Sequence, residues 1–290
     1  MTDRRRAIDR LHIGACLVSA ALLWLFPADD AACWRGAVSL TLAALPFARR
    51  KMFAGASSGL AVFVGAAIPW LSVLHFFTSL PSIEIFWPVG HFDPWLAKWD
   101  EALFGFQPGI EWQRILTGVV NDAVGEVLSF FYVTFYAHFT VLALLLLAKR
   151  RDADIERLVF VVTATFAGHF LFFSIFPSAG PQFTDPSAGA VQLDPGWVFS
   201  RLHFELSSRF DRPVAAFPSS HVAISFVTAL FAWRYRVWRV FFAICFVAVF
   251  LSVTYLGPHF FVDAPAGTAT GALGYWWGNR RIDRIGRDVS

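Results

Sequence analysis

The sequence predicts an all-α integral membrane protein with about eight transmembrane helices, and three observations predict it. Hydrophobic residues make up 57% of the 290-residue chain and charged residues only 16%, whereas soluble domains are roughly one-quarter charged; the mean hydropathy is +0.55. The apolar residues fall in long blocks, close to the roughly 20 residues that a helix needs to cross a bilayer. Lysine and arginine then alternate from one end of these blocks to the other, which a soluble helical core would not require.

Taken in order, the apolar segments cover residues 11–27, 32–48, 57–80, 123–148, 157–177, 218–233, 237–257 and 260–277. The first two and the sixth are short for a full crossing. Basic residues collect on the cytoplasmic side of short loops. With the N-terminus placed there, 18 of the 24 basic residues share its side: Arg4, Arg5, Arg6 and Arg10, then the clusters around Arg50, Arg150, Arg236 and Arg281. Only Arg35, Lys98, Arg114, Arg201, Arg209 and Arg212 fall on the other side. The alternation requires an even number of spans and puts both termini in the cytoplasm. The arginines ahead of the first block resemble a signal peptide, but no small-residue cleavage site follows, so the block reads as a retained helix.

The expected organisation is two N-terminal helices in 1–56, a catalytic bundle in 57–277 and a basic cytoplasmic tail in 278–290. Two long outer connections interrupt the bundle. Residues 81–122 hold Trp87, Trp95, Trp99 and Trp112 among acids and prolines; tryptophan favours the membrane–water boundary, so short interfacial helices are expected. Residues 178–217, rich in Pro, Gly, Asp and Ser, are expected to form an outer active-site loop, because loops this long in a compact bundle are usually functional.

A net charge of +3 is too small to point to nucleic acid. Cys16, Cys33 and Cys245 are isolated and form neither a disulfide framework nor a metal motif; no metal and no cofactor is expected. With no targeting extension evident, the expected location is a bacterial inner membrane.

Two polar clusters stand at the ends of apolar segments. In Pro218-Ser219-Ser220-His221 a proline opens a helix, with two hydroxyls and an imidazole in its first turn. Free backbone amides and the positive end of the helix dipole favour an anion there. Serine capping beside an isolated histidine would explain this cluster alone. The following segment, however, ends in Tyr255-Leu256-Gly257-Pro258-His259-Phe260-Phe261-Val262-Asp263. His259 and Asp263 are four apart, on one face if helical, and a carboxylate on one imidazole nitrogen leaves the other free to attack or to take a proton. One helix leaves the outer face and the next returns to it, so His221 and His259 are expected at the same end. His138 and His169, inside apolar segments with Tyr132 and Tyr136, read as hydrogen-bonded packing residues.

Phe217-Pro218-Ser219-Ser220-His221, together with Ser252-x6-His259-x3-Asp263, resembles the second and third motifs of the type 2 phosphatidic acid phosphatase superfamily, over roughly residues 123–277. The resemblance implies a six-helix catalytic bundle and a metal-independent phosphohistidine mechanism. His259 would be the nucleophile, Asp263 its orienting partner and His221 the acid that protonates the leaving oxygen. Two departures stand out. Val253 occupies the place of the third-motif arginine, and Phe176-Pro177-Ser178-Ala179-Gly180-Pro181-Gln182 replaces the Lys…Arg-Pro first motif. Arg212-Pro213 has Glu205, not lysine, seven residues earlier. Both departures, with Asp100-Glu101-Ala102-Leu103-Phe104-Gly105-Phe106-Gln107-Pro108 upstream, resemble the inositol phosphorylceramide synthase-like branch. Substrate contacts are expected from Ser219, Ser220, Gln182 and Tyr255, with Arg201, Arg209 and Arg212 replacing the cationic clamp.

The expected activity is transfer of a phosphoryl or phospho-headgroup from a lipid phosphate or phospholipid to an alcohol, on the periplasmic side. The alternatives are hydrolysis of a lipid phosphate and a non-enzymatic lipid transporter or scramblase. The intact His/His/Asp set argues against the last, since a passage needs no such geometry.

Overall fold

The computed structural model describes residues 2–53, 59–116, 118–184, 197–210 and 212–287. Most of the middle of the expected outer loop, residues 185–196, lies outside the described residues, as do 54–58 and 288–290 of the expected N-terminal and tail segments. Among the described residues the chain is helical, without β-strands. The helices are α1 (Asp3–Leu25), α2 (Ala31–Met52), α3 (Gly59–Ser79), α4 (Asp93–Phe104), α5 (Pro108–Ile115), α6 (Gly118–Ala148), α7 (Asp152–Ile175), α8 (Val198–Phe210), α9 (Ser220–Ala232), α10 (Arg239–Tyr255) and α11 (Asp263–Arg287). Eight of them, α1–α3, α6, α7 and α9–α11, lie on the eight apolar segments. Four, α1, α2, α6 and α7, are long and apolar enough to cross a membrane, and α9 and α10 are shorter apolar helices.

Two compact units divide the chain. Residues 1–85, 140–174 and 273–290 form the first. Its three N-terminal helices pack on one another around a polar seam rather than a purely apolar one. Asp9 accepts from Arg49 at 2.9 Å and from Arg50 at 2.7 Å. Further along α1, His12 Nε2 meets the Leu42 carbonyl at 3.0 Å, Ser19 meets Ser39 at 3.1 Å, and Ser39 meets His75 at 2.9 Å. These side chains lie on one face of α1, and pairing them satisfies polar groups that lipid cannot. Phenylalanines pack α3 against α7, with Phe76 5.2 Å from Phe170 and Phe77 5.7 Å from Phe173, centroid to centroid.

Residues 86–139 and 175–272 form the second unit, which holds the histidine motifs. Its α4 opens with Pro94 in the first turn and closes on Gly105 in a left-handed conformation, start and stop signals suited to a short helix. Asp93, Leu96 and Asp100 are its buried residues, spaced three and four apart and therefore on one face. Leu96 packs with Phe260, Val262, Phe176 and Phe217, joining α4 to the loops that carry the histidines. Between α9 and α11 the backbones come close. A Cβ at Gly267 would stand 2.3 Å from the Ser219 carbonyl oxygen, and one at Gly271 would stand 2.6 Å from that of Ala223. Glycines four apart permit this kind of intimate helix contact in membranes.

Candidate active site

Three loops of the second unit meet around His259. The first is Pro177–Pro181, the second Val214–Ser219 and the third Leu256–Val262; backbone bonds stitch them together. Ala216 N donates to the Ser178 carbonyl at 3.0 Å, Phe217 N to Ser178 Oγ at 2.7 Å, and Gln182 N to the Gly257 carbonyl at 3.0 Å. Gly180 has a φ of +90°, and a Cβ on it would lie 2.2 Å from the Pro258 carbonyl oxygen. Only glycine supplies that conformation and that clearance together.

Helix α9 begins at Ser220, with Ser219 as its N-cap accepting from Val222 N at 3.4 Å. The proline that the sequence places at the helix start therefore precedes the cap, and only Ser220 of the two serines is in the first turn. The reason is tertiary: Ser219 N donates to the Asp263 carbonyl at 3.0 Å, which holds Ser219 extended just ahead of the helix. His259 and Asp263 also differ from the expected helical pair. Helix α10 ends at Tyr255 and α11 starts at Asp263, because Gly257-Pro258 interrupts the helix. The Asp263 carboxylate instead reaches back from the start of α11, meeting His259 Nδ1 at 3.2 Å and accepting from Phe260 N at 3.0 Å.

The ring of His259 is fixed by that arrangement. Its Nδ1 also lies 2.7 Å from the Ala216 carbonyl oxygen. Both neighbours of Nδ1 are acceptors, so Nδ1 carries the hydrogen and Nε2 keeps the lone pair. Ser219 Oγ lies 3.3 Å from Nε2. His259 is 4% exposed and Asp263 0%, and Asp263 Oδ1 has no hydrogen-bond partner among the described residues. The His221 ring centroid is 5.8 Å from that of His259. His221 stacks on Tyr132 at 5.0 Å and packs against Phe135 at 4.5 Å, while neither of its nitrogens has a hydrogen-bond partner among the described residues. One imidazole thus has its Nδ1 held by two acceptors and its Nε2 beside Ser219, and a second is held by aromatic stacking with no hydrogen-bond partner on either nitrogen among the described residues.

A cavity of about 340 Å³ opens beside His259, between α4, α5 and the loops. Its lining includes Asp93, Ala97, Asp100, Gln107, Ile110, Thr184, Thr254 and Phe260, with no lysine or arginine among the described residues. Asp93 accepts from Ala179 N at 2.9 Å and Gly180 N at 2.6 Å; Asp100 accepts from Phe261 N at 2.7 Å and Val262 N at 2.9 Å. Each carboxylate of α4 therefore clasps two successive amides of one site loop. Burial pushes both carboxyls above the usual carboxylate range, and the amide bonds only partly offset it.

The structure brings together His221, His259, Asp263, Ser219 and, at the buried head of α9, Ser220. It does not bring the expected cations to the cavity. Arg201 is exposed on α8, Arg209 pairs with Glu205 at 2.9 Å, and Arg212 is exposed and donates to the Arg209 carbonyl at 3.1 Å. Gln182, half-buried, reaches the site loops through its backbone, and the Tyr255 hydroxyl donates to Asn121. Val253 is fully buried. Of the membrane histidines, His169 meets the carbonyl of its own helix at Thr165, 2.8 Å away, and His138 lies 3.3 Å from Thr134 Oγ1.

Two contributors escaped the sequence reading. His203 of α8 is buried with its ring 4.9 Å from Tyr132, behind the ring on which His221 stacks. The amide-clasping role of Asp93 and Asp100 was also missed, although their spacing around Leu96 on an otherwise exposed helix was a visible signal. Among the described residues, no three His, Cys, Asp or Glu side chains converge as a metal site would require.

The chain is thus an all-α membrane protein in which an Asp-backed histidine lies beside a second histidine. The chain belongs to the PAP2 superfamily, whose family model matches residues 94–277. Members of this superfamily are generally phosphatases or phosphotransferases, and a lipid phosphate is the substrate class that membership favours. No curated protein and no solved structure matches the chain.

Proposed function

We propose that this protein is a metal-independent membrane lipid phosphotransferase, moving a phosphoryl or phospho-headgroup from a lipid donor to an alcohol, as in inositol phosphorylceramide synthase-like enzymes. The observation that carries the reading is the setting of His259, with Nδ1–H held by Ala216 and Asp263 and the Nε2 lone pair turned toward Ser219 Oγ. In the first step Nε2 attacks phosphorus, an N–P bond forms, and the P–O bond to the leaving group breaks. The leaving oxygen keeps that electron pair and takes a proton from His221. A bound phosphate anion favours the charged imidazolium that this requires. In the second step His221 accepts the proton of the incoming hydroxyl, which attacks the phosphohistidine and restores His259. Ser219, Ser220 and the first amides of α9 are the donors nearest the phosphoryl oxygens.

Transfer is favoured over hydrolysis by the form of the third motif, and the cavity beside His259 leaves room for an organic group. In this reading the site faces the periplasm of a bacterial inner membrane, with both termini cytoplasmic. The test is product analysis. Purified protein in detergent, given a labelled phospholipid, alcohol acceptors and a chelator, is expected to yield a phosphorylated acceptor, and His259→Ala to yield none. Free phosphate as the sole product would replace transfer by hydrolysis, and turnover undiminished in His259→Ala would remove the nucleophile.

A further inference from the structure

The first unit contains a second cavity, of about 570 Å³, whose rim is formed by Arg6 and Arg10 of α1 and Arg281 and Arg284 of α11. The basic residues around this rim are spent differently. Arg5 is paired with Glu156 at 2.6 Å, Arg49 and Arg50 are paired with Asp9, and Arg157 is paired with Asp283. Arg280 lies over the Trp276 ring at 4.3 Å. Of the four on the rim, Arg6 meets Asp3 at 3.2 Å, the one carboxylate among the described residues that line the cavity. Arg10, Arg281 and Arg284 have no carboxylate partner among the described residues. A general preference of positive charge for one side of the membrane explains why arginines collect at this end. It does not explain why four of them line one cavity.

Most of the remaining lining is apolar: Ala7, Leu11, Phe160, Trp277 and Ile285. Phe160 and Trp277 stack, with centroids 6.2 Å apart and planes 13° from parallel. Exposed guanidinium groups beside an apolar, aromatic wall, at the terminus where a helix passes from apolar to charged sequence, match a phospholipid's phosphate with its glycerol and chain carbons alongside. Guanidinium groups hydrogen-bond phosphate oxygens in pairs, and basic recesses between membrane helices hold anionic headgroups.

We propose that this cavity binds the phosphate group of an anionic phospholipid, at a site separate from the His259 centre. The site does not depend on the transferase reading.

The experiment uses full-length His259→Ala protein in zwitterionic detergent, so that added lipid is not turned over. It is titrated with dioleoylphosphatidylglycerol, dioleoylphosphatidylcholine or inorganic phosphate while the thermal midpoint is followed. Phosphatidylglycerol is expected to raise the midpoint saturably, and the other two are not. Each arginine near a lipid surface strengthens such binding by about fivefold, so R10Q/R281Q/R284Q is expected to weaken it by roughly a hundredfold. The control R150Q/R151Q/R236Q, which removes the same charge elsewhere, is expected to bind as its parent does. If the first triple variant does not fold, the single R281Q is expected to show the fivefold loss. Unchanged affinity in the cavity variants, or equal loss in the control, would overturn the site; an equal response to inorganic phosphate would overturn a lipid as its ligand.

Discussion

At His259 the two ring nitrogens face different surroundings, and this separates the effects of nearby substitutions. His259→Ala removes the lone pair itself and is expected to lower turnover by at least ~1,000-fold. His221→Ala removes only the proton donor, with a loss of about 100-fold or more. Asp263→Asn is expected to cost less, on the order of 10–100-fold, because the Ala216 carbonyl still holds Nδ1–H in place. Steady-state rates on a lipid phosphate check all three, and an Asp263→Asn loss as deep as that of His259→Ala would show that Ala216 does not fix the ring. Asp93 and Asp100 give a pH prediction. Burial raises both carboxyls above the ordinary value of 3.8, so folding takes up protons between 3.8 and the raised folded value. Their contribution to stability is therefore fully present below that window and lost as pH rises through the folded pKa. The thermal midpoint of the wild-type chain relative to Asp93→Asn/Asp100→Asn is expected to fall as pH increases across that window and then to level off. A relative midpoint that climbs with pH would contradict the assignment.

Helix α4 and the α9–α11 contact do for the site what no single residue does. The two carboxylates of α4 grip the first and third loops from one side, and Leu96 seals the contact with Phe260 and Val262. On the other side, the carbonyls of Ser219 and Ala223 rest where side chains at Gly267 and Gly271 would be. Gly271→Val is expected to push α9 off α11, costing about 1–3 kcal/mol as an overpacked contact does. Because Ser219 and His221 ride on α9 while Asp263 starts α11, activity should fall along with the thermal midpoint. An unchanged midpoint with full activity would mean that the two helices do not depend on this approach. Little of this is legible in the sequence. Gly267 and Gly271 are visible as a pair, but their partner helix is set by packing, and the shift of the helix start from Pro218 to Ser220 follows from the Ser219–Asp263 backbone bond.

For the whole molecule, the alternation of basic residues makes a prediction that depends on no side-chain contact. Lys98 is expected on one side of the membrane and Arg150, Arg236 and Arg281 on the other. In a variant with its own cysteines replaced, single cysteines at 98 and 236 should react with a membrane-impermeant maleimide from opposite sides of sealed vesicles. Labelling of both from one side would break the three spans expected between them. The two compact units also carry different kinds of polar residue. One has paired charges and hydrogen bonds along α1–α3 and an arginine-rimmed cavity; the other has the pair His221 and His259 with Asp263. The family match, residues 94–277, leaves out α1–α3.

The sequence by itself determined the class of fold, the positions of the apolar helices and the candidate set of His221, His259 and Asp263. Each depends on a local signal: an apolar run of bilayer length, a proline or glycine that stops a helix, or a polar group too costly to bury without purpose. The tertiary structure alone decided which nitrogen of His259 carries the hydrogen, that Asp93 and Asp100 clasp the site loops, and that Arg201, Arg209 and Arg212 stay away from the cavity. These depend on contacts between residues distant in sequence, such as Asp93 with Gly180 and Ala216 with His259, where the partner is chosen by packing and by the need to satisfy buried amides and carbonyls.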